Sequence, residues 1–428
     1  MIRSICVVGL GYVGLPLAVA FDERGHDVVG FDIDRSKIGK LNGGIDPTDD
    51  IGDERIKDST IEFTDDETAI ERADVVIVAL PTPVDDLKNP NLEYIESGGE
   101  MVGRHIREGA TVVLESTVYP GATKEILAPA IERTSGLKAG EGFFVGYSPE
   151  RLVPGDDEHG LRNVVKIVSG QSESVADELE ALYETVVDAG IHRAPSIEAA
   201  EAAKCIENIQ RDLNIALVNE LAIACNAIGL DTHHVLEAAR TKWNFHDYRP
   251  GLVGGHCIPV DPFFMIYESK RNGFTPQLIE KAREINDYLP QHVGTETIRL
   301  LTENGKAPSE STALVLGLTY KPNVDDIRTS AVDGVIKKLL SFNVNVIGYD
   351  PRADPDACRE EFEIPIQDQL SFDDVDIVVL ASAHDELLRI DYEDVAARMR
   401  PNPALIDVHG ELDRSRLQSS DLLSYRRI

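Results

Sequence analysis

A glycine-rich segment contains the most distinctive candidate for chemistry. Residues 250–262 read PGLVGGHCIPVDP, and we call this segment the cysteine loop. Its glycines let the main chain come close to a ligand and leave the sulfur of Cys257 sterically accessible. Because Asp261 follows four residues later, the thiol is a candidate nucleophile. Zinc is the alternative, since His256 adjoins the cysteine. No cysteine or histidine spacing matches a zinc site, however, and we predict no metal.

A long helical segment carries a second group of polar candidates. Residues 198–230 are rich in Ala, Leu, Ile, Glu and Asn, contain no proline, and predict a helix that joins two lobes. Lys204 and Asn208 are four residues apart, so they lie on the same face of this helix and could hold an oxyanion. A solvated helix face is the alternative interpretation of such a pair. The same segment carries further polar residues of this group: Arg211, Asn219 and Glu220.

Other candidates lie where predicted strands end, at the edge where open α/β sheets bind ligands. Glu150 follows the apolar stretch 143–146 and is a candidate base. Lys321 and Arg328 follow the first strand of the last predicted lobe.

The first thirty residues predict a strand, a glycine turn, a helix and a second strand. The turn is Gly9-Leu10-Gly11-Tyr12-Val13-Gly14, a dinucleotide-binding fingerprint in its proper context. Gly9 allows the tight turn, Gly11 lets a pyrophosphate approach the backbone, and Gly14 lets helix and strand pack closely.

The residues that follow the second strand indicate which dinucleotide binds. Asp32 stands 18 residues past Gly14 and can accept hydrogen bonds from the adenosine ribose hydroxyls. Because its charge repels a 2′-phosphate, it favours NAD over NADP. Arg35 and Lys37 lie nearby and keep NADP open.

Two further loops follow predicted strands of the same region. Leu80-Pro81-Thr82-Pro83 follows the strand 73–80, and the segment ESTVYPG, which contains Thr117, follows the strand 110–114. Each is an ordinary turn by itself. Together they could close over the nicotinamide half of the cofactor.

The whole pattern predicts an α/β fold with two Rossmann-like, doubly wound parallel-sheet domains joined by a long central helix and a helical segment. A second helical stretch is predicted at 277–304, and strand patterns return at 312–318, 344–350, 375–381 and 404–408. The predicted domains are residues 1–195, 196–307 and 308–428.

Composition excludes several classes of protein. The chain has 428 residues, of which 42% are hydrophobic and 27% charged, as in a soluble globular protein of several domains. We find no membrane span and no signal peptide. The five cysteines are scattered and odd in number, which fits a reducing cytoplasm better than a disulfide scaffold.

The charge balance is strongly acidic. Lys and Arg number 42 against 75 Asp and Glu, for a net charge of −33. This makes nucleic acid or an anionic membrane an unfavourable partner. An acidic cytosolic enzyme is one interpretation, and we favour adaptation to high salt, where screening reduces self-repulsion.

Taken together, these motifs make the chain resemble the nucleotide-sugar 6-dehydrogenase family, the UDP-glucose/GDP-mannose dehydrogenases, over essentially its full length. Seven motifs stand in family order: GLGYVG, PTP, ESTVYPG, SPERLVPG, EAAKCIENIQRDLNIALVNE, GLVGGHCIPVDP and GLTYKPNVDDIRTS. The resemblance implies an N-terminal NAD-binding domain, a central helical dimerisation domain with the cysteine loop, and a C-terminal UDP-sugar-binding domain. It further implies a homodimer or a higher homo-oligomer.

The implied reaction oxidises the C6 alcohol of a nucleotide-sugar to a carboxylate with two NAD. By the resemblance, Cys257 forms a thiohemiacetal and then a thioester, while Lys204 and Asn208 stabilise the oxyanion. Water then hydrolyses the thioester. The residues that would position or activate this water are Asp261, Glu150 and Thr117.

The resemblance also assigns binding residues. Cofactor contacts are expected from Gly9, Gly11, Tyr12, Val13, Gly14, Asp32, Lys37, Pro81, Thr82, Thr117 and Arg328. Substrate contacts are expected from Glu150, Arg151, Leu152, Lys204, Asn208, Tyr248, Arg249, Gly251, Gly255 and Lys321.

The cysteine loop bears on the choice of sugar. UDP-glucose enzymes usually carry Phe after the cysteine and Lys before the aspartate, whereas this chain has Ile258 and Val260. Together with His256 and the segment SPERLVPG, this looks like the UDP-N-acetylhexosamine branch (GlcNAc, ManNAc or GalNAc). UDP-glucose and GDP-mannose stay open. Two rival functions are a hydroxyacid dehydrogenase, which needs no cysteine, and a non-catalytic NAD-binding sensor.

Overall fold

The computed structural model describes residues 2–48, 50–85, 87–151, 160–418 and 422–428. The chain divides into two compact units. The first unit is Met1–Glu207 with Phe263–Thr275, and the second is Asn208–Pro262 with Pro276–Ile428. The three-domain division made from the sequence stays a prediction.

The first unit is built on one sheet of eight strands. The strands are β1 (Ser4–Val8), β2 (Asp27–Phe31), β3 (Glu62–Thr64), β4 (Val75–Val78), β5 (Thr111–Leu114), β6 (Phe144–Tyr147), β7 (Lys166–Gly170) and β8 (Ile191–Arg193). Their order is β3-β2-β1-β4-β5-β6-β7-β8, and every pair is parallel except β6 and β7. The central strands β4 and β5 are buried along their whole length, as expected of a sheet covered on both faces.

Helices alternate with these strands. They are α1 (Gly14–Glu23), α2 (Arg35–Asn42), α3 (Asp53–Asp58), α4 (Glu93–His105), α5 (Ala128–Ser135) and α6 (Glu173–Tyr183), with a 3₁₀ turn at Glu67–Arg72 and a π-helical turn at Thr123–Leu127. The next helix, α7 (Ile197–Ala227), has 31 residues and contributes to both units. It confirms the long helix predicted at 198–230.

The second unit contains a five-stranded, all-parallel sheet. Its strands are β9 (Thr312–Leu316), β10 (Asn345–Tyr349), β11 (Ile377–Leu380), β12 (Ala404–Asp407) and β13 (Ser424–Arg427), in the order β10-β9-β11-β12-β13. Apolar cores lie on both faces of this sheet. The predicted doubly wound architecture is therefore confirmed in both sheets.

The remaining helices complete the chain. They are α8 (Thr232–Arg240), α9 (Asp261–Arg271), α10 (Gln277–Glu303), α11 (Val332–Leu340), α12 (Pro355–Phe362), α13 (Asp385–Leu388), α14 (Tyr392–Ala396) and α15 (Arg414–Gln418), with a 3₁₀ turn at Pro308–Glu310. Among the described residues, none of the helices combines the length and the apolar character that crossing a membrane requires.

Some strands were not predicted from the sequence. β7 begins with a lysine, Lys166, that is buried, and β8 has only three residues, two of them His192 and Arg193. Neither strand presents the apolar run that indicates a buried strand. Pairing with neighbouring strands of the sheet stabilises both, and local sequence does not reveal that pairing.

Candidate active site

The glycines of the fingerprint turn in the first unit differ in the space around them. Two are needed for close packing, and one leaves room for a ligand. Gly9 has φ +94°, and a Cβ on either Gly9 or Gly14 would overlap a carbonyl oxygen. At Gly11, by contrast, no described atom lies within 4 Å of an added Cβ. Helix α1 begins at Gly14, the last residue of this turn, so the open position at Gly11 lies three residues before a helix N-terminus, as pyrophosphate binding requires.

Asp32 is held rigidly at the end of β2. Its carboxylate accepts hydrogen bonds from Leu10 N (2.9 Å), Asp34 N (2.9 Å) and Lys37 Nζ (2.6 Å). Burial acts to raise the pKa of Asp32, but these hydrogen bonds and the Lys37 charge outweigh it and lower the pKa below its ordinary value. The carboxylate is therefore charged at neutral pH and disfavours a 2′-phosphate. The side chain of Lys37, which kept NADP open in the sequence, forms an ion pair with Asp32.

The two predicted nicotinamide loops lie together at the carboxyl ends of β4 and β5. Ser116 Oγ donates to Leu80 O (2.6 Å) and accepts from Leu80 N (2.9 Å). This pair of bonds joins the loop that carries Thr117 to the loop that carries Pro81 and Thr82, and their closure over a nicotinamide stays a prediction. Tyr12 and Pro81 are exposed, while Thr82 and Thr117 are half-buried.

A buried ion pair supports the segment that carries Glu150. Lys166 Nζ contacts Glu115 Oε2 (2.5 Å) and donates to Pro149 O (2.9 Å), and the Tyr183 hydroxyl donates to the other Glu115 oxygen. Burial raises the pKa of Glu115, and the Lys166 charge opposes this shift. Sequence reasoning missed this network, although a lysine at the start of an apolar strand was a signal for it.

Glu150 and Arg151 follow β6 and are half-buried. Arg151 forms an ion pair with Glu207 on α7 (2.8 Å). Leu152, the next predicted substrate contact, lies outside the described residues.

Helix α7 contacts the loop that follows β5, which carries Thr117, through a residue that the sequence did not single out. Glu201 is buried and accepts hydrogen bonds from Thr123 N (2.9 Å), Thr123 Oγ1 (2.6 Å) and Gly121 N (2.5 Å). Burial raises the pKa of Glu201 to about 7, although these donors oppose the shift. Lys204, three residues later, is buried as well.

In the second unit, two predicted catalytic residues are in direct contact. Asn208 Nδ2 donates to Asp261 Oδ2 (2.6 Å), and both side chains are buried. The carbonyl of Cys257 accepts from Val260 N (3.0 Å) and Asp261 N (2.8 Å), so the cysteine begins the turn that leads into α9. Cys257 is exposed, whereas the other four cysteines are buried. An exposed cysteine therefore opens the turn that ends at the buried Asn208–Asp261 pair.

The cysteine loop packs on the segment 319–330. Gly255 has φ +91° and lies so close to the Tyr320 ring that an added Cβ would be 2.8 Å from it. His256 lies 3.9 Å from Asp326, which also pairs with Arg328 (2.9 Å). Burial, followed by the Arg328 charge, lowers the pKa of His256. The structure thus brings Gly255 and His256, the two residues before Cys257, together with the segment that carries Lys321 and Arg328.

Further predicted substrate residues surround the start of the loop. Tyr248 OH accepts from Gln210 Nε2 (3.0 Å), and Arg249 pairs with Glu411 (3.3 Å). Gly251 is buried. Lys321 lies over the ring of its neighbour Tyr320, 5.7 Å from the centroid.

A buried histidine anchors the segment 319–330, and sequence reasoning missed it. His384 lies 3.1 Å from Asp350 Oδ2, and its Nδ1 accepts from Asn323 N (2.9 Å). Asp350 also accepts from Leu318 N (2.6 Å). Burial acts to raise the pKa of Asp350, but the His384 hydrogen bond and backbone donors lower it to about 2. The signal was the position of Asp350, directly after β10, like Asp32 after β2.

Comparison with known proteins places this geometry in a family. Three models of the UDP-glucose/GDP-mannose dehydrogenase family match the chain in order: the NAD binding domain at residues 3–187, the central domain at 198–288 and the UDP binding domain at 314–414. The chain belongs to this family. The resemblance inferred from the motifs is thereby confirmed.

Individual relatives align with this chain over nearly its whole length. The chain is 41% identical to "Protein CapL" of Staphylococcus aureus, with 99% of each chain covered. It is 40% identical to a UDP-N-acetyl-D-glucosamine 6-dehydrogenase of Pseudomonas aeruginosa, covering 96% of this chain and 98% of the relative. Its fold is similar to the solved UDP-D-ManNAc dehydrogenase of Pyrococcus horikoshii, with a TM-score of 0.89, 31% identity and 99% of each chain covered.

The residues of the first unit fit the family's cofactor. The family's NAD binding domain includes the fingerprint turn, where Gly11 leaves open space at the start of α1 and Asp32 carries its charge at the end of β2. Among the described residues, no group of three or more His, Cys, Asp or Glu side chains could hold a metal ion. The absence of a metal stays a prediction, as do the individual ligand contacts.

Substitution of Gly11 tests the open space directly. We expect Gly11→Ala to raise the Kd for NAD about tenfold or more, because the methyl group occupies the approach of the pyrophosphate. The melting temperature should be unchanged, since the protein leaves room for that methyl. Gly39→Ala on α2 also points into open space and serves as the matched control with wild-type binding. Calorimetric titration and thermal unfolding measure both quantities, and a wild-type Kd in Gly11→Ala contradicts the assignment.

Proposed function

We propose that this chain oxidises the C6 hydroxyl of a UDP-sugar to a carboxylate, with two NAD as oxidant. The proposed sugar is an N-acetylhexosamine, either GlcNAc or ManNAc. The observation that carries the proposal is the exposed thiol of Cys257, in the same turn as a buried Asn208–Asp261 pair, in a chain of this family.

The overall reaction balances as alcohol, two NAD⁺ and water giving carboxylate, two NADH and three protons. Bound NAD supplies the hydride acceptor for each oxidation, held by the fingerprint turn and Asp32. In the first oxidation, the C6 carbon loses a hydride and its hydroxyl loses a proton, which gives an aldehyde. Lys204 and Asn208 donate hydrogen bonds to the oxygen as it becomes negative.

The second oxidation takes place on the enzyme. The thiolate of Cys257 adds to the aldehyde carbon, a C–S bond forms, and the oxygen takes up a proton to give a thiohemiacetal. Loss of hydride from the same carbon, with loss of the hydroxyl proton, gives a thioester. Because the aldehyde stays bound to sulfur, one site performs both oxidations without releasing it.

Hydrolysis then returns the thiolate. Water attacks the thioester carbon, the C–S bond breaks, and the carboxylate leaves. We assign the positioning and deprotonation of this water to Asp261, Glu150 and Thr117. The Asn208–Asp261 bond supports the role of both partners, since an amide that donates to a fixed carboxylate has a defined orientation.

The choice of an N-acetylhexosamine rests on two observations. Relatives of this chain at 40% and 33% identity are named UDP-N-acetyl-D-glucosamine 6-dehydrogenase and UDP-N-acetyl-D-mannosamine dehydrogenase. The cysteine loop also carries Ile258 and Val260 instead of the Phe and Lys of the UDP-glucose enzymes. Both favour this sugar class over UDP-glucose and GDP-mannose.

A substrate panel with a cysteine variant tests the function. Wild-type protein should form two NADH and one carboxylate per sugar with UDP-GlcNAc or UDP-ManNAc, measured by absorbance and mass spectrometry. Cys257→Ala should lower carboxylate formation about a thousandfold or more, because no thioester can form. Cys225→Ala, a buried cysteine of the same unit, is the control that keeps turnover. One NADH per sugar in the wild type, or full turnover in Cys257→Ala, contradicts the proposal.

We further propose that the chain is a homodimer or a higher homo-oligomer. Leu217 and Leu221 stand one turn apart on α7 and are exposed, and Trp243, shortly after α8, is 91% exposed. Exposed apolar side chains on one helix face are typical of an interface.

Light scattering tests the oligomer. The wild type should have a mass of at least twice 47.0 kDa. Leu217→Asp with Leu221→Asp should shift the population toward monomer, because the charges must be desolvated in the interface. Leu340→Asp, at an exposed apolar position on α11, is the matched control with wild-type mass. A wild-type mass of 47.0 kDa at every concentration contradicts the proposal.

We also propose two conditions under which the protein works, namely high salt and a reducing cytoplasm. The net charge of −33 supports adaptation to high salt, and five scattered cysteines with no disulfide among the described residues support a reducing cytoplasm.

Salt dependence tests the first of these. We expect activity to fall on dialysis from molar KCl into dilute buffer and to return when KCl is restored, because screening relieves repulsion among the carboxylates. A neutral osmolyte at equal osmolality is the control and should not restore activity. Full activity in dilute buffer contradicts adaptation to salt.

A further inference from the structure

Helix α7 holds the cysteine loop at both of its ends, and one of these contacts involves a residue with no assigned role. At the C-terminal end, Asn208 donates to Asp261. At the N-terminal end, the contact is made by Asn219 with Gly251. We propose that Asn219 is a positioning residue that fixes the cysteine loop and thereby sets the place of the Cys257 thiol. The inference rests on the proposed function for its effect on turnover.

The side-chain amide of Asn219 takes the place of a backbone hydrogen-bonding partner for Gly251. Asn219 Oδ1 accepts from Gly251 N (2.9 Å), and Asn219 Nδ2 donates to Gly251 O (3.1 Å). One side-chain amide thus satisfies both polar backbone groups of Gly251 inside the protein, where Asn219 is fully buried. Two hydrogen bonds to one residue fix its position and its orientation together.

Gly251 requires such an external anchor. A Cβ at this position would lie 2.5 Å from the ring of His409, so no larger residue fits. Because a glycine has more backbone freedom than other residues and no side chain that could anchor the loop, hydrogen bonds to its backbone are the contacts that can fix the loop here.

The orientation of the Asn219 amide is itself fixed by a chain of buried groups. Asn286 Nδ2 donates to the carbonyl oxygen of Asp212 (3.0 Å), a group that can only accept. Asn286 Oδ1 is therefore turned toward Asn219 Nδ2 (2.9 Å) and accepts from it. This leaves Asn219 Oδ1 as the acceptor for Gly251 N. The buried ion pair of Asp212 with Arg283 completes the chain.

The placement on the helix supports a function in the loop. Asn208 and Asn219 are 11 residues apart, about three turns, so they share one face of α7. A buried apolar residue would stabilise that face at lower cost than an amide, because the amide loses its bonds to water. Cys257 lies in the loop between the two anchored ends, so displacement of either end moves the sulfur.

Amide exchange and alkylation test the inference without any substrate. In the wild type, the Gly251 amide should exchange slowly. In Asn219→Ala, exchange in the cysteine loop should rise about tenfold or more, because both bonds to Gly251 are lost. The rate at which iodoacetamide alkylates Cys257, followed by mass spectrometry, should change in the same variant. Asn214→Ala, whose side chain donates to Gln210 O on the same helix, is the matched control and should behave as wild type.

Kinetics separate positioning from a merely structural role. Asn219→Ala should lower kcat about tenfold or more while the KM for NAD changes less than about threefold, because the thiol is misplaced and the cofactor residues of the first unit are untouched. Asn286→Ala, which leaves both bonds from Asn219 to Gly251 in place but removes the group that orients Asn219 and its donation to Asp212, should show the same pattern to a smaller extent. It also serves as the second variant if Asn219→Ala does not fold.

The outcomes distinguish this inference from the proposed function. Fast exchange of the Gly251 amide in the wild type overturns the inference without any variant. Unchanged exchange or unchanged kcat in folded Asn219→Ala also overturns it. If exchange and alkylation respond but the wild type oxidises no UDP-sugar, the positioning role stands and the proposed function falls.

Discussion

The hydrogen bond from Asn208 to Asp261 is the constraint on which the candidate site depends. It joins α7 to the first residue of α9 over 2.6 Å, between two buried side chains. The turn that begins at Cys257, four residues before Asp261, is thereby tied to α7. Without this bond the cysteine loop would have a buried carboxylate with one partner fewer, and such a group is costly to bury. Positioning and stability therefore come from the same contact.

The two sheets use one turn geometry for different purposes. After β1, Gly9 N donates to Phe31 O (2.9 Å), and after β9, Gly317 N donates to Tyr349 O (2.9 Å), each glycine with positive φ. In each case the next residue donates to an aspartate at the end of the neighbouring strand. Asp32 is bound to half-exposed Lys37, and the turn leaves space at Gly11. Asp350 is bound to buried His384, so the second turn anchors a protein segment where the first leaves room for a dinucleotide.

Local patterns could be predicted from the sequence, and distant pairings could not. The fingerprint, β1, α1, α7 and the strands β9 to β12 of the second sheet follow from apolar periodicity and glycine spacing within a few residues of each other, whereas β13 has no apolar run and was not predicted. The pairs Glu115–Lys166, Asn219–Gly251 and Asp350–His384 join residues 51, 32 and 34 positions apart. Each polar member by itself looks like an ordinary surface residue, and Gly251 looks like an ordinary loop glycine. Asn219 was visible as part of a polar group on the helix, but its partner was not.

The choice of amides to hold the cysteine loop also has an electrostatic reason. In a chain with a net charge of −33, carboxylates and cations at the surface interact through solvent, and salt screens these interactions. The bonds that Asn208 and Asn219 donate and accept are short-ranged and buried, so dissolved ions do not reach them. The ion pair of Asp212 and Arg283, with side-chain exposures of 1% and 3%, is shielded in the same way. Salt therefore screens the bonds that hold the loop less than it screens the ion pairs of the surface.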